Sequence, residues 1–268
     1  MYKIVVSDLD GTLLDSNHRI SDYSKKIIKE LKFKGIKFIL ATGRHHLDTI
    51  EIAEGIKNDF YLITNNGAKV LYGNESVFTY FISEKIVREL LDFKTSEKIS
   101  KNIFTETGWY TDRYIPTFMN KHIGSACEPN ETDLNSVKER VIKFFFMGEN
   151  SNEIQEIEEK LKSNKLYCEN LTVSTSEKYC LEVTAKGVNK GEALRKILIR
   201  ENVNFSDVLA FGDGFNDKEM LALAGKGVIA GHENNRNLKE ILPENEITDN
   251  SLGNGVADYL KKVFELNI

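Results

Sequence analysis

The sequence predicts an α/β protein, a doubly wound parallel sheet interrupted by an inserted α+β module. Three observations carry this. Apolar strands and amphipathic helices alternate from Lys3 to Thr64, and the same alternation returns after Gly187. Between about Ser83 and Lys186, helical segments mix instead with strands rich in aromatic and β-branched residues. Both alternating stretches contain an apolar strand that runs straight into paired aspartates.

The first strand is the β-branched run Ile4-Val5-Val6, whose lack of charge suits a central position covered on both faces. It ends in Ser7-Asp8-Leu9-Asp10-Gly11-Thr12, and acids at a strand's carboxyl end fall where open α/β sheets place their ligands. Asp-x-Asp taken alone also fits an ordinary polar turn. Ser21 and Asp22 are candidate caps for a helix with Ile27, Ile28 and Leu31 on one face and Gly35 at its end. Lys37 to Ala41 forms a second strand leading into Thr42-Gly43-Arg44. A helix through Ile52 and Ile56 follows, and Phe60 to Thr64 is the third strand. Strand, helix, strand, helix, strand is the order of a parallel sheet. After the turn Asn65-Asn66-Gly67-Ala68, Lys69 to Tyr72 and Ser76 to Phe81 flank Gly73-Asn74-Glu75 as a hairpin with a three-residue loop.

In the inserted stretch, helices are expected over Ile86 to Phe93 and Glu153 to Leu161. Strands are expected over Asn102 to Thr105, Lys143 to Met147, Leu171 to Ser174 and Tyr179 to Val183. This divides the chain into a core of residues 1–82 and 187–268 and an insertion of residues 83–186. In the second half of the core, a helix covers Lys190 to Arg200 and a strand Val208 to Phe211 delivers Gly212-Asp213-Gly214-Phe215-Asn216-Asp217. A helix through Leu223, a strand Gly227 to Ala230, a helix Asn235 to Ile241, a strand near Glu246 to Thr248 and a helix Asn254 to Phe264 complete the pattern.

Composition narrows the function. A formal net charge of -5 argues against a broad nucleic-acid surface. No apolar run reaches the length of a membrane span. Without a visible signal peptide a cytoplasmic location is expected, with Cys127, Cys168 and Cys180 as reduced structural thiols. Oligomeric state is left open.

Asp8, Asp10, Asp213 and Asp217 crowded together would repel one another. A hard dication removes the conflict, and an oxygen-only ligand set suits Mg²⁺. Lys190 would share in that screening. Lys190 is otherwise a cation poorly placed at a helix N-terminus.

Four motifs appear in order, DLDGT, ATGR, the lysine of VNKGEAL, and GDGFND. As an ordered set they resemble the haloacid dehalogenase-like phosphatases, and the insertion resembles the cap of the Cof-like branch, subclass IIB. The resemblance covers nearly the whole chain and implies a Rossmann-like core with an α+β cap. It also implies a Mg²⁺-dependent phosphatase of small phosphorylated metabolites, usually sugar phosphates. On that likeness Asp8 forms an aspartyl-phosphate, and Asp10 acts as general acid and base while lending its backbone carbonyl to Mg²⁺. Lys190 neutralises Asp8 and the phosphate. Asp213 ligates the metal, with Asp217 supporting it directly or through water. Thr42, Gly43 and Asn216 hold phosphate oxygens. Relatives usually carry a Gly-Asn-Ala loop where this chain reads Gly231-His232-Glu233-Asn234-Asn235, so either Asn234 or His232 takes the asparagine's place.

Arg44, Asn66, Gly67, Trp109 and Arg113 are further candidates for substrate contact. Each has a plainer reading, as solvated turn residue for Arg44, as turn for Asn66 and Gly67, and as residues away from any substrate for Trp109 and Arg113. His18, His45, His46 and His122 read as surface residues. The nearest rival activity is a sugar phosphomutase, which would return phosphate to its substrate. A rival of another class is a binding or regulatory protein that keeps the site and has lost turnover.

Overall fold

The computed structural model describes residues 2–56, 60–231, 236–249 and 253–268. The chain runs through β1 (Ile4–Ser7), a tight loop at Leu9–Leu13, α1 (Asp22–Phe33), β2 (Lys37–Ala41), α2 (His46–Ile52), β3 (Tyr61–Thr64), β4 (Lys69–Tyr72) and β5 (Glu75–Thr79). Next come α3 (Glu84–Leu91), β6 (Ile99–Phe104), β7 (Trp109–Thr111), α4 (Pro116–Met119), β8 (Pro129–Glu131), β9 (Lys143–Gly148), α5 (Ser151–Ser163), α6 (Lys165–Asn170), β10 (Leu171–Glu177) and β11 (Cys180–Ala185). The last part holds α7 (Lys190–Glu201), β12 (Val208–Gly212), α8 (Lys218–Leu223), β13 (Lys226–Gly231), α9 (Arg236–Ile241), β14 (Glu246–Asp249) and α10 (Gly255–Val263).

These strands build two sheets. The first has eight strands in the order β14-β13-β12-β1-β2-β3-β4-β5, parallel from β14 to β3 and antiparallel at the β4–β5 edge. From β1 the chain winds one way to β3, and from β12 the other way to β14. The sheet is doubly wound, with its switch point between β1 and β12. Alternation along β1 explains the two layers that cover it. Val5 packs with Ile27, Leu31 and Leu260 on the α1–α10 side, and Ile4 and Val6 pack with Leu194, Leu198 and Met220 on the α7–α8 side.

Ser21 caps α1 by accepting the Ser24 N–H, as the sequence suggests. The β4–β5 hairpin is tighter than expected. Tyr72 pairs with Glu75, which leaves only Gly73-Asn74 in the loop and starts β5 one residue early.

The second sheet has six strands in the order β10-β11-β9-β6-β7-β8, all drawn from between Ile99 and Ala185. Its core gathers Phe144, Phe146, Ile103, Leu181 and Val183 against Ile154, Ile157 and Leu161 of α5 and Leu90 of α3. Sequence reading missed β7, β8, α4 and α6, all short elements. The second sheet meets the first protein layer through specific bonds. The Cys127 amide donates to Asp48 (2.9 Å), and Lys69 pairs with Glu106 (2.8 Å). Among the described residues, no helix is long and apolar enough to cross a membrane.

Candidate active site

β1 and β12 are adjacent and parallel, with Ser7 level with Phe211. Their carboxyl ends therefore bring Asp8 and the Asp213–Asp217 loop to one edge. Asp8 is held in place by its own N–H, which donates to the Phe211 carbonyl (3.0 Å), and it is 6% exposed. Gly11 turns the chain away with φ +73°, and a Cβ there would lie 2.2 Å from an Asp213 carboxylate oxygen. Only glycine fits this turn. On the opposite side of Asp213, Thr12 Oγ1 donates to its carboxylate (3.1 Å).

Lys190 opens α7 and is fully buried. Its Nζ donates to Asp8 Oδ1 and to Asp217 Oδ1, both at 2.7 Å. Asp217 Oδ2 accepts the Asp213 and Gly214 amides (3.1 and 3.0 Å), which fixes the GDGFND loop. Carboxylate oxygens of Asp8, Asp213 and Asp217 all lie within 4.8 Å of one another. Burial, the Asp217 charge and the Asp213 charge push the Asp8 carboxyl well above its ordinary value, against the pull of Lys190. Burial and Asp217 push Asp213 up to about 6. Burial works against the charge on Lys190, but Asp217 and Asp8 outweigh it and raise the ammonium above its ordinary value. Three carboxylates face one lysine, so the ionised cluster lacks two positive charges, and its oxygen donor set suits a hard dication.

Asp10 stands apart. Burial works upward on its carboxyl, yet Arg44 outweighs it through a two-pronged ion pair, Nε to Oδ2 at 2.7 Å and Nη2 to Oδ1 at 2.5 Å. Asp10 is thus held below its ordinary value, and its side chain is not in the carboxylate cluster. Thr42 is buried at the end of β2, where its Oγ1 accepts the Arg44 amide (3.1 Å).

A cavity of about 890 Å³ opens above these groups, lined by Asp8, Asp10, Thr42, Gly43, Arg44, Asp213 and Asn216. The second sheet and its loops supply the other wall, with Phe104, Trp109, Phe118, Phe145 and Tyr179 beside Lys121, His122, Lys143 and Glu182.

Several expectations need correction. Arg113 does not line the cavity. It is exposed on the far part of the second sheet, where its guanidinium donates to the Glu97 carbonyl. Trp109 does line the cavity, as part of its aromatic wall. It is 3% exposed, packs on Phe104 and Phe145, and donates its indole N–H to Asn102 Oδ1 (2.9 Å). Gly67 is structural, because at φ +93° a Cβ would sit 2.4 Å from the Asn189 carbonyl oxygen. Asn66 is buried with its amide spent on Glu182 and Asn216. His45 and His46 are buried, not on the surface. His45 accepts the Leu47 amide at Nδ1 (3.3 Å) and donates from Nε2 to the Thr105 carbonyl (2.9 Å), which assigns its tautomer. His122 is half-buried with its ring against Trp109, whereas His18 is exposed beside Asp10. His232, Glu233, Asn234 and Asn235 lie outside the described residues. Lys143 and Glu182, which also line the cavity, carry no motif signal; only their positions on neighbouring strands of the folded sheet bring them there.

Residues 5–260 match the haloacid dehalogenase-like hydrolase family. The chain is 37% identical over 272 residues to a putative phosphatase of Haemophilus influenzae, covering 99% of this chain and 98% of that one. It is 31% identical over 271 residues to an HMP-PP phosphatase of Yersinia pseudotuberculosis, covering 97% and 94%. Among solved structures, a haloacid dehalogenase-like hydrolase of Bacteroides thetaiotaomicron has the same fold, with a TM-score of 0.82 at 24% identity over 98% of this chain and 100% of that one. The chain belongs to the haloacid dehalogenase-like hydrolases, and its named relatives are phosphatases.

Proposed function

We propose that this hydrolase is a Mg²⁺-dependent phosphatase of small phosphorylated metabolites, with sugar phosphates as the first class to test. The observation that carries the reading is the convergence of Asp8, Asp213 and Asp217 on Lys190 at the base of a cavity. In this reading Asp10 leaves its Arg44 pair and takes up a proton as substrate binds. A carboxylate oxygen of Asp8 attacks phosphorus as the bond to the leaving oxygen breaks, and Asp10 protonates that oxygen. Asp10 then takes a proton from water, which attacks the aspartyl-phosphate and restores the Asp8 carboxylate with release of phosphate. Lys190 offsets charge on Asp8 and the phosphate throughout. Thr42, the Gly43 amide and Asn216 hold phosphate oxygens.

The donor set fits Mg²⁺. Asp8, Asp213 and the Asp10 carbonyl would hold the ion. Both Asp217 oxygens already accept protein bonds, so Asp217 acts on it through charge and by fixing the Asp213–Gly214 loop. When bound, the cation neutralises the crowded carboxylates and the phosphate oxygens. Residues 83–186 act as a cap over the core of residues 1–82 and 187–268, placing the leaving group against the aromatic wall and limiting water. A cytoplasmic location accords with free cysteines at 127, 168 and 180.

The test is phosphate release from a panel of sugar phosphates and nucleotides, with Mg²⁺ or chelator, for wild type and Asp8→Asn. Metal-dependent release lost in Asp8→Asn is expected. A folded wild type that releases nothing in Mg²⁺ overturns the phosphatase, and an isomerised sugar that keeps its phosphate would mark a mutase instead.

A further inference from the structure

The cavity wall formed by the second sheet carries an ion pair that the chemistry above does not use. Lys143 of β9 and Glu182 of β11 face each other across neighbouring strands, with Nζ 2.5 Å from Oε1 and both side chains buried. A buried ion pair adds little stability over well-packed apolar residues, so its other bonds carry its significance. Those bonds leave the second sheet. Lys143 Nζ donates to the Gly43 carbonyl at 2.7 Å. Glu182 Oε2 accepts from Asn66 Nδ2 at 2.6 Å, and Asn66 Oδ1 in turn accepts from Asn216 Nδ2 at 3.2 Å. One pair thus holds the Thr42-Gly43-Arg44 loop directly and the GDGFND loop through a single asparagine.

We infer that Lys143, Glu182 and Asn66 are positioning residues that tie the aim of both phosphate loops to the seated position of the second sheet. The inference rests on the proposed function only in assigning phosphate to Gly43 and Asn216. The Gly43 carbonyl sets the plane of the peptide whose N–H, on Arg44, donates to Thr42 Oγ1, leaving that hydroxyl's hydrogen to donate elsewhere. The Asn66 amide accepts from one loop and donates to the pair, so its orientation is fixed only while both partners are present. With the second sheet lifted away, Lys143 and Glu182 keep each other but lose Gly43 and Asn66, and both loops lose a restraint together. Seating itself has other anchors, in His45 to Thr105, Cys127 to Asp48 and Lys69 to Glu106. Severing the pair therefore loosens the loops without undocking the sheet.

The experiment compares wild type with Lys143→Met/Glu182→Leu, an apolar replacement of similar volume, and with Asn66→Ala, which leaves the ion pair whole. Two readouts that need no turnover are taken. One is binding of inorganic phosphate in Mg²⁺ by calorimetry, and the other is hydrogen exchange of amides in residues 42–44 and 213–217. The double variant is expected to weaken phosphate about 10-fold or more and to speed exchange in both loops, and Asn66→Ala to speed exchange in residues 213–217, since a misplacement near 1 Å costs up to about 100-fold in rate. In active wild type the same variants lower kcat on p-nitrophenyl phosphate, whose small leaving group has little to gain from the cavity wall. Phosphate affinity and loop exchange unchanged in both variants overturn the inference. So does faster exchange confined to β9 and β11, which a purely structural pair would give. If wild type binds no phosphate, the proposed function falls while loop exchange still decides the coupling.

Discussion

At the scale of single residues, the two arginines of the candidate set part company. Arg44 meets Asp10 with two charge-assisted bonds and lines the cavity, whereas Arg113 spends its guanidinium on a backbone carbonyl at the surface. A planar guanidinium gripping both oxygens fixes a carboxylate's orientation as well as its charge. Arg44→Ala is therefore expected to lower kcat/KM by about 10- to 100-fold, the usual loss when an orienting partner of a reactive group is removed. Arg113→Ala is expected to leave kcat/KM at the wild-type value. Steady-state kinetics on the best substrate of the panel checks both, and equal losses in the two variants would refute the assignment. Arg44 was legible because it follows Thr42-Gly43 at a strand end. Nothing in the local sequence around Arg113 signalled that its side chain points away.

At the scale of elements, the strands that carry the acids were the most legible part of the chain. Val5 and Val6 in β1 and Leu209 and Ala210 in β12 are buried on both faces, and an uncharged run has few other uses. Edge elements of the second sheet were illegible for the converse reason. β7 and β8 are three residues each, and Pro129, Asn130 and Glu131 have no strand pattern until Trp109 to Thr111 lie beside them. His45 and His46 were misread because a polar side chain at a helix start looks solvated until its neighbour is known. His45 caps α2, yet β6 ends over it and burial drops its imidazole to about 4. His46, next along, is lowered to about 3 by burial and by His45. Between about 6.5 and 4 the unfolded chain takes up protons that the folded His45 refuses, so folded stability is full above 6.5 and falls as pH drops through that window. His45 alone is worth up to about 3 kcal/mol across it. Thermal melts between pH 7 and pH 4 should show a steep loss in wild type. His45→Asn keeps a capping oxygen without a titrating ring, so its melts should start slightly lower and fall less. Parallel slopes for the two proteins would show that the acid sensitivity lies elsewhere.

At the scale of the whole molecule, the winding of the first sheet decides where charge collects. Parallel β1 and β12 on either side of the switch point must end at the same edge, so each brings its aspartates to one place whatever their distance in sequence. Among the described residues Lys190 is the cation paired with these three buried or half-buried carboxylates, and without a further cation the fold carries their repulsion. Asp213, pushed up to about 6 by burial and Asp217, makes that cost measurable. A carboxyl with a raised folded pKa stabilises the fold at low pH, and that contribution is lost as pH climbs from its ordinary value through about 6. Above 6 the same charge is what a cation needs. Mg²⁺ at about 100 times its Kd would add about 2.7 kcal/mol, roughly 5 °C or more in Tm for a chain of this size. That gain should be present at pH 7.5 and shrink strongly at pH 5, where protons hold the Asp213 oxygen. Asp213→Asn separates the two effects. Without the charge the metal-free protein should melt higher than wild type at pH 7.5, by on the order of 1 kcal/mol given the residue's partial exposure. It should then gain little or nothing from Mg²⁺. Differential scanning of both proteins with Mg²⁺ and with chelator reads this directly. Equal Mg²⁺ increments in wild type and variant, or an increment that does not change between pH 7.5 and pH 5, would place the metal away from this edge of the sheet.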